Sequence, residues 1–166
     1  TRVRKLEATI TAKAAELIAP LAARQVCEFV EEIAEPMPVF IFMELMGLPL
    51  DRFQEFRTLA IQMLSPEAMN NPEVMGAASV GIMTILNELI AARREEPRDD
   101  LISALIGETV NGQPIGASEL LSVCFMLFLG GLDTVTNAMA YGIRNLAIDR
   151  DLQDRIRRDR SLIPEM

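Results

Sequence analysis

The chain has 166 residues, enough for one hydrophobic core, and half of them are hydrophobic although only 5% are aromatic. Its formal net charge of −8 argues against nucleic acid and against an anionic membrane surface as partners. The sequence contains no histidine, which excludes from this chain a Ser-His-Asp triad, a Cys-His dyad and every metal site built on histidine. This composition favours a core of packed helices.

The cysteines and the apolar runs bear on the cellular compartment. Cys27 and Cys124 lie far apart and form no Cys-x-x-Cys pair, so we expect two reduced thiols in a cytoplasmic protein. The chain opens on a charged amphipathic run rather than on a signal peptide. Its longest nearly apolar run, over 120–132, is shorter than the stretch of about 20 residues that a membrane-spanning helix needs. We therefore expect no membrane segment.

The first part of the chain shows helical periodicity with proline punctuation. Apolar residues at helical spacing predict a first helix over 3–21. A short extended segment is expected over 25–30. Pro36 and Pro38 suit the first turn of a second helix, which we expect to stop at Gly47.

The remaining elements are expected in this order: a third helix capped by Asp51 and ending near Leu64, a loop over 65–72, a long helix over 75–94, a short helix to Ile106 capped by Asp99 or Asp100, a turn or small hairpin over 110–115, a very long helix over 118–148, and a last helix over 149–158. The predicted fold class is all-α with at most short β pieces. Nothing in the sequence divides residues 1–166 into separate domains.

One stretch of the very long helix breaks the local rules of helix formation. Gly130 and Gly131 stand side by side in its interior, where each costs about 1 kcal/mol relative to alanine. Asp133 follows among apolar residues on all sides of the helical wheel, and an unpaired buried carboxylate costs several kcal/mol. Such departures are expected where a functional site lies.

A physical reason connects these residues. Glycines let a flat ligand approach the helix backbone, and the Thr134 hydroxyl competes for backbone carbonyls and can open a groove that holds water. Asp133 and Thr134 then offer a carboxylate and a hydroxyl that can pass protons into a dry pocket. On spacing alone a structural alternative stays open, in which the glycines serve close helix packing and Asp133 pairs with an arginine.

The stretch Gly-Gly-Leu-Asp-Thr in a long apolar helix resembles the distal I-helix signature of the cytochromes P450, (Ala/Gly)-Gly-x-(Asp/Glu)-Thr. Three further segments are similar to bacterial members in order and spacing. Residues 34–49 resemble their E-helix region, 110–115 the turn before the I helix, and 162–165 the lead-in to the K helix. The chain resembles most the camphor-hydroxylase-like branch, and the resemblance runs from about the D helix through the J helix.

The resemblance implies roles for the matching residues. Asp133 and Thr134 match the acid–alcohol pair that hydrogen-bonds dioxygen and delivers protons for cleavage of the O–O bond. Gly130 and Gly131 match the oxygen-binding groove beside the haem.

Further residues match the family's substrate pocket and the support of its acid. Two apolar residues fall in the pocket wall and two in its roof: Met126, Leu129, Met63 and Leu64. Each of these four fits an ordinary core position equally well. Arg57 aligns with one of the basic side chains that tether the acid, whereas Ser65 stands where a second would be.

The chain departs from the family in what it lacks. The haem-binding loop Phe-x-x-Gly-x-x-x-Cys-x-Gly is absent, and Cys27 and Cys124 lack its neighbours, so the axial thiolate is expected outside this chain. The K-helix Glu-x-x-Arg and the family's N-terminal region are absent as well. We therefore expect this chain alone to be inactive.

Two classes of function follow. In the first, the chain is part of a haem-dependent monooxygenase, an oxidoreductase that hydroxylates a small apolar compound, such as a terpenoid, with O2 and electrons from a ferredoxin. The haem would do the oxidative chemistry, and the protein would supply the thiolate, a dry pocket and a proton path. In the second, the chain is a non-catalytic helical interaction or ligand-binding module without haem.

Overall fold

The computed structural model describes residues 2–24 and 26–165. Within these residues the chain is predominantly helical, which confirms the predicted all-α class. The elements in chain order are α1 (Arg2–Ile18), α2 (Pro36–Met46), α3 (Phe53–Leu64), α4 (Pro66–Asn70), α5 (Pro72–Glu95), α6 (Leu101–Ile106), β1 (Thr109–Val110), β2 (Gln113–Pro114), α7 (Ala117–Ile148) and α8 (Arg150–Arg158). Short 3-10 turns lie at Ala19–Leu21, Leu50–Arg52 and Arg160–Glu165, and a π-helical turn lies at Val30–Ala34.

Several boundaries lie where the side chains require them. Helix α2 ends at Gly47, whose φ of 77° only glycine adopts without strain. Asp100 and Asp149 cap α6 and α8, each accepting a backbone N–H at 2.8 Å. Asn111 and Gly112 both have positive φ and close the antiparallel hairpin of β1 and β2. These four features confirm the corresponding sequence predictions.

Two predictions in the region of α3 and α4 were wrong. Asp51 is no N-cap, because it lies inside a 3-10 turn and α3 begins at Phe53 without a side-chain cap. Most of the predicted loop over 65–72 is the short helix α4, Pro66–Asn70. Ser65 accepts a hydrogen bond from the third residue of α4, and Asn71 caps α5 in the same manner. In both places the proline that suggested a loop occupies the first turn of a helix.

The expected extended segment over 25–30 is also wrong for the described residues. Residues 26–28 have no regular structure and pair with no strand, and Val30 begins the π-helical turn. Ile33 and Ala34 are buried at the end of this turn, so core packing outweighs the local extended preference. Gln25 lies outside the described residues.

The centre of the core is a cluster of three phenylalanine rings from three helices. Phe42 of α2, Phe56 of α3 and Phe128 of α7 have ring centroids 5.6, 5.7 and 5.3 Å apart, with two of the three pairs edge-to-face. Around them pack aliphatic and methionine side chains, among them those of α5. The cluster fixes α7 at Phe128, two residues before Gly130.

A buried ion pair ties together the ends of α2, α5 and α6. Arg93 and Asp100 are each 6% exposed, and Arg93 Nε donates to Asp100 Oδ2. Arg93 Nη2 also donates to the Gly47 carbonyl at 2.7 Å. Burial alone would raise the pKa of Asp100, but hydrogen bonds from Arg93 and Ser103 outweigh it and hold that pKa below its ordinary value.

Two described helices, α5 and α7, are long and apolar enough to cross a membrane by length and composition. The apolar run over 120–132 is only part of α7, because the helix continues well beyond residue 132. The length of that run alone therefore does not exclude a membrane-spanning helix. Central helices of water-soluble proteins pass the same test. In this fold α5 packs on α3, and α7 packs on both α2 and α5.

Candidate functional site on helix α7

Helix α7 has one packed face and one bare face. Its packed face is a stripe at every fourth residue, formed by Leu120, Cys124, Phe128 and Leu132. Because an α-helix turns about 100° per residue, Gly130 and Thr134 point away from this stripe, and both are exposed. A Cβ placed on Gly130 or Gly131 would meet nothing within 4 Å. Close packing of the glycines against another described helix, one of the alternatives above, is therefore not observed.

Thr134 and Asp133 are both hydrogen-bonded within α7. The Thr134 hydroxyl donates to the Gly130 carbonyl at 2.5 Å, four residues back, and the helix is unbroken there. The Asn137 amide donates to Asp133 Oδ1 at 2.8 Å and to the Asp133 carbonyl at 2.9 Å. Among the described contacts no arginine pairs with Asp133, so the structural alternative for this residue finds no support either.

A cavity of about 340 Å³ lies beside Asp133, between α7, α3 and the turn that leads into α2. Its polar lining includes Glu35, Asp133 and Asn137, and its apolar lining includes Leu64 and Leu132. The Thr136 hydroxyl donates to the Ala34 carbonyl at 3.1 Å and so joins α7 to the start of α2. Asp133 therefore lies between the bare face of α7 and a partly open space with mixed polar and apolar lining.

Arg57 does not contact the carboxylate that the alignment suggested. Its Nη2 donates to the Glu31 carbonyl at 2.9 Å and lies 3.5 Å from Glu35 Oε2. Its Nε is buried without an acceptor among the described atoms. Glu35, rather than Asp133, thus holds the arginine in this structure.

The four apolar residues predicted for a substrate pocket do not share one environment. Met126 is 71% exposed and Leu129 is 37% exposed, and both lie on the bare side of α7. Met63 is only 5% exposed and belongs to the hydrophobic core. Leu64 packs against that core and lines the cavity beside Asp133.

Neither cysteine has the surroundings of a metal ligand. Cys124 lies on the packed stripe of α7, and burial raises the pKa of its thiol to about 11, which favours the protonated form. Cys27 is exposed on the segment that precedes α2. Within the part of the chain that the structure describes, no three His, Cys, Asp or Glu side chains group as a metal site.

Sequence reasoning missed Glu35, Thr136 and Asn137. Glu35 carried a signal, since it precedes Pro36 in one of the segments that resembled the P450 E-helix region. The bonds of Thr136 and Asn137 depend on the packing of α7 against the start of α2, and no local pattern predicts that contact.

No family model matches the chain. Individual proteins do: cytochrome P450 107B1 of Saccharopolyspora erythraea is 32% identical over 98% of the chain, and steroid C26-monooxygenase of Mycobacterium tuberculosis is 29% identical over 98%. The crystal structure of CYP101J2 superposes over 98% of the chain with a TM-score of 0.87 and 32% identity. The chain spans 40%, 45% and 39% of these three proteins, respectively.

The chain belongs to the cytochrome P450 family. Both the sequence likeness and the fold likeness extend over nearly all of it, so the family resemblance stated from its motifs is confirmed. The P450 segment described here comprises about two fifths of the length of its relatives.

Haem is the cofactor that this family implies, and the residues present fit it. The backbone at Gly130 and Gly131 is open to a flat group, with a hydroxyl and a carboxylate directly beside it. Gly142 is equally open, but only Tyr141 and Ile143 flank it in the sequence. The combination of open backbone, Asp133 and Thr134 therefore distinguishes the first position from the second.

Proposed function

We propose that the intact protein is a haem-dependent monooxygenase in which this segment supplies the helix that faces bound O2. The observation that carries the proposal is the bare face of α7, where Gly130 and Gly131 leave room for a flat group beside Asp133 and Thr134. In the proposal the axial thiolate comes from a cysteine outside these residues, and a ferredoxin delivers the electrons. The intact protein works in the cytoplasm, and this segment alone is inactive.

Each residue of the site has a separate task in the proposal. The haem supplies the oxidative chemistry when it is bound. The Thr134 hydroxyl donates its proton to the Gly130 carbonyl and presents oxygen lone pairs that can accept a hydrogen bond at the cofactor face. Asp133 supplies protons to that hydroxyl, because its second carboxylate oxygen has no protein donor among the described contacts.

The apolar side chains near the site fit a small apolar substrate. Met126 and Leu129 lie on the bare side of α7, about two turns and one turn before Asp133, respectively, and in the proposal they exclude water from the reacting centre once substrate is bound. Leu64 adds a wall from α3. Met63 contributes indirectly in this proposal, because it lies in the core beneath Leu64. A terpenoid-like substrate and the camphor-hydroxylase-like branch rest on the sequence resemblance, and the name of one relative, a steroid monooxygenase, also denotes an apolar substrate.

A spectroscopic experiment on the intact protein tests this function. The reading frame is extended on both sides of the chain, and the product is expressed with haem, reduced and exposed to CO. We expect the absorption band of a thiolate-ligated haem. Absence of that band in a folded product, or a reading frame that encodes no haem-binding cysteine loop, would contradict the monooxygenase and favour a non-catalytic helical module.

Replacing the hydroxyl tests the assigned chemistry. Thr134→Ala is expected to divert electrons from hydroxylation, so that much more peroxide forms per product, because the hydroxyl is lost from the cofactor face. Thr84→Ala is the matched control, since Thr84 makes the same bond to a carbonyl four residues back, at 2.8 Å, on a different helix. Equal coupling of electron use to product in both variants would refute the role of Thr134.

A further inference from the structure

The cavity beside Asp133 has the properties of a water-holding space. A water molecule takes about 30 Å³ of liquid volume, so a cavity of about 340 Å³ has room for several. Five polar side chains contribute to its lining: Glu35, Ser65, Asp133, Thr136 and Asn137. The other seven lining residues are apolar, so water can find the two to four polar partners that it needs only beside these five side chains.

Two carboxylates from different elements line this space. Asp133 comes from α7 and uses one oxygen for Asn137. Glu35 comes from the start of α2 and uses one oxygen for the long contact with Arg57. The second oxygen of each carboxylate has no protein donor among the described contacts. Both can therefore bind cavity water.

Glu35 also reaches solvent. Its side chain is 29% exposed, so it borders both the surface and the cavity. Arg57 holds it in place from α3, while the Arg57 guanidinium is fixed in turn by the Glu31 carbonyl at 2.9 Å. A carboxylate at such a border can exchange protons with bulk water on one side and with enclosed water on the other.

We propose that this cavity is the route by which solvent protons reach Asp133, and that Glu35 is the carboxylate that admits them. The inference rests on the proposed monooxygenase function and adds to it a second positioned acid. Glu35 takes up a proton from bulk water and releases one to cavity water, which passes one to Asp133 after Asp133 has given its own proton to the face that bears Thr134. Each carboxylate ends the cycle in its starting protonation state, so one proton enters from solvent for each one delivered.

The primary test replaces the carboxylate by an amide of the same size. Glu35→Gln can still accept a hydrogen bond from Arg57 but cannot carry a proton. We expect the hydroxylation rate of the haem-loaded intact protein to fall by about 10²-fold, the low end of what a positioned acid contributes, with more peroxide per product. Glu31→Gln is the control, because the Glu31 side chain is exposed and does not line the cavity. Equal rates and equal coupling in the two variants would overturn the route.

A rescue experiment separates proton transfer from a structural role. In Glu35→Ala the space of the lost side chain adjoins the cavity, so added acetate should enter and restore much of the rate. Acetate should leave the rate of the Glu31→Ala control unchanged. A rate loss in Glu35→Ala that acetate does not relieve would overturn proton transfer as the task of Glu35.

A readout independent of turnover examines the cavity itself. In a crystal structure of the intact protein we expect ordered waters that connect Glu35 to Asp133 at hydrogen-bonding distances. A dry cavity, or one filled by another segment, would overturn the route. The CO spectrum of the unmodified protein is recorded first, because it tests the monooxygenase function by itself. If the thiolate-haem band is present but Glu35→Gln leaves the coupling of electron use to product unchanged, only the proton route is refuted. If the band is absent, the monooxygenase function and the route are refuted together.

Discussion

Asp100 and Asp133 are two aspartates with opposite surroundings. Asp100 is buried, bonded to Arg93 on one oxygen and to the Ser103 N–H on the other. Asp133 is exposed on the bare side of α7 and has one amide donor, from Asn137. A buried carboxylate with a protein donor on each oxygen stabilises the fold and is shielded from new partners. A carboxylate with a vacant oxygen beside water can exchange protons, which is the difference that the following predictions probe.

The largest effect on stability is expected from breaking the buried pair. Arg93→Met leaves the Asp100 charge without its cation in the interior, which costs about 3–5 kcal/mol of unfolding free energy. Urea unfolding of the intact protein measures this loss. Arg98→Met, which removes an exposed partner of Glu96, should change stability by no more than about 0.5 kcal/mol. A loss of less than 1 kcal/mol in Arg93→Met would show that Asp100 is not the structural aspartate that its contacts indicate.

The two faces of α7 provide a similar contrast. Phe128→Ala removes one ring of the aromatic cluster and should cost about 3–5 kcal/mol in the same urea experiment. Met126→Ala on the bare face should lower the free energy of unfolding much less, because the described residues leave the Met126 side chain 71% exposed. A large loss at Met126 in the intact protein would reveal that a segment outside this chain packs tightly on the bare face, and it would contradict an open substrate wall there.

The sequence predicted the packed regions and the candidate site for different reasons. Helical periodicity and the glycine at position 47 report local geometry, so α2, α5 and α7 and the left-handed turn were predictable. Asp133 and Thr134 stand out in the sequence because they follow two helix-interior glycines, and their role in a site stays a prediction. The sequence suggested a buried Asp133, but the described residues leave it exposed. The cavity beside Asp133 was not predictable, because it arises where α7 meets the start of α2 and no local pattern specifies that contact. The caps at Ser65 and Asn71 were misjudged since a proline after a polar residue signals both a loop and a helix start.

A moderate effect is expected at Gly47. Gly47→Ala places a side chain at a φ of 77°, and its Cβ would overlap the Asp100 carboxylate. The left-handed conformation alone costs about 1–2 kcal/mol, and displacement of Asp100 from Arg93 adds to it. Gly76→Ala is the matched control, because that glycine is helical with nothing within 4 Å of an added Cβ, and alanine there should stabilise by up to about 1 kcal/mol. Equal melting temperatures of the two variants would contradict the close contact between Gly47 and Asp100.

The smallest effect on stability, and the sharpest on function, is expected at Gly131, the glycine that the P450 signature does not replace by alanine. Within these residues an alanine at this position meets no neighbour, so Gly131→Ala should raise helix stability by up to about 1 kcal/mol. In the haem-loaded protein the same methyl group would stand between the α7 backbone and the flat cofactor, so haem affinity or coupling should fall although the polypeptide is no less stable. Gly142→Ala, equally open along α7, should stabilise the helix without affecting the haem. Urea unfolding of the haem-free protein and haem titration of the same samples measure the two effects separately. A Gly131→Ala variant that loses stability without haem would show that the glycine serves packing, whereas opposite signs in the two measurements are expected only where an open backbone is kept for a ligand.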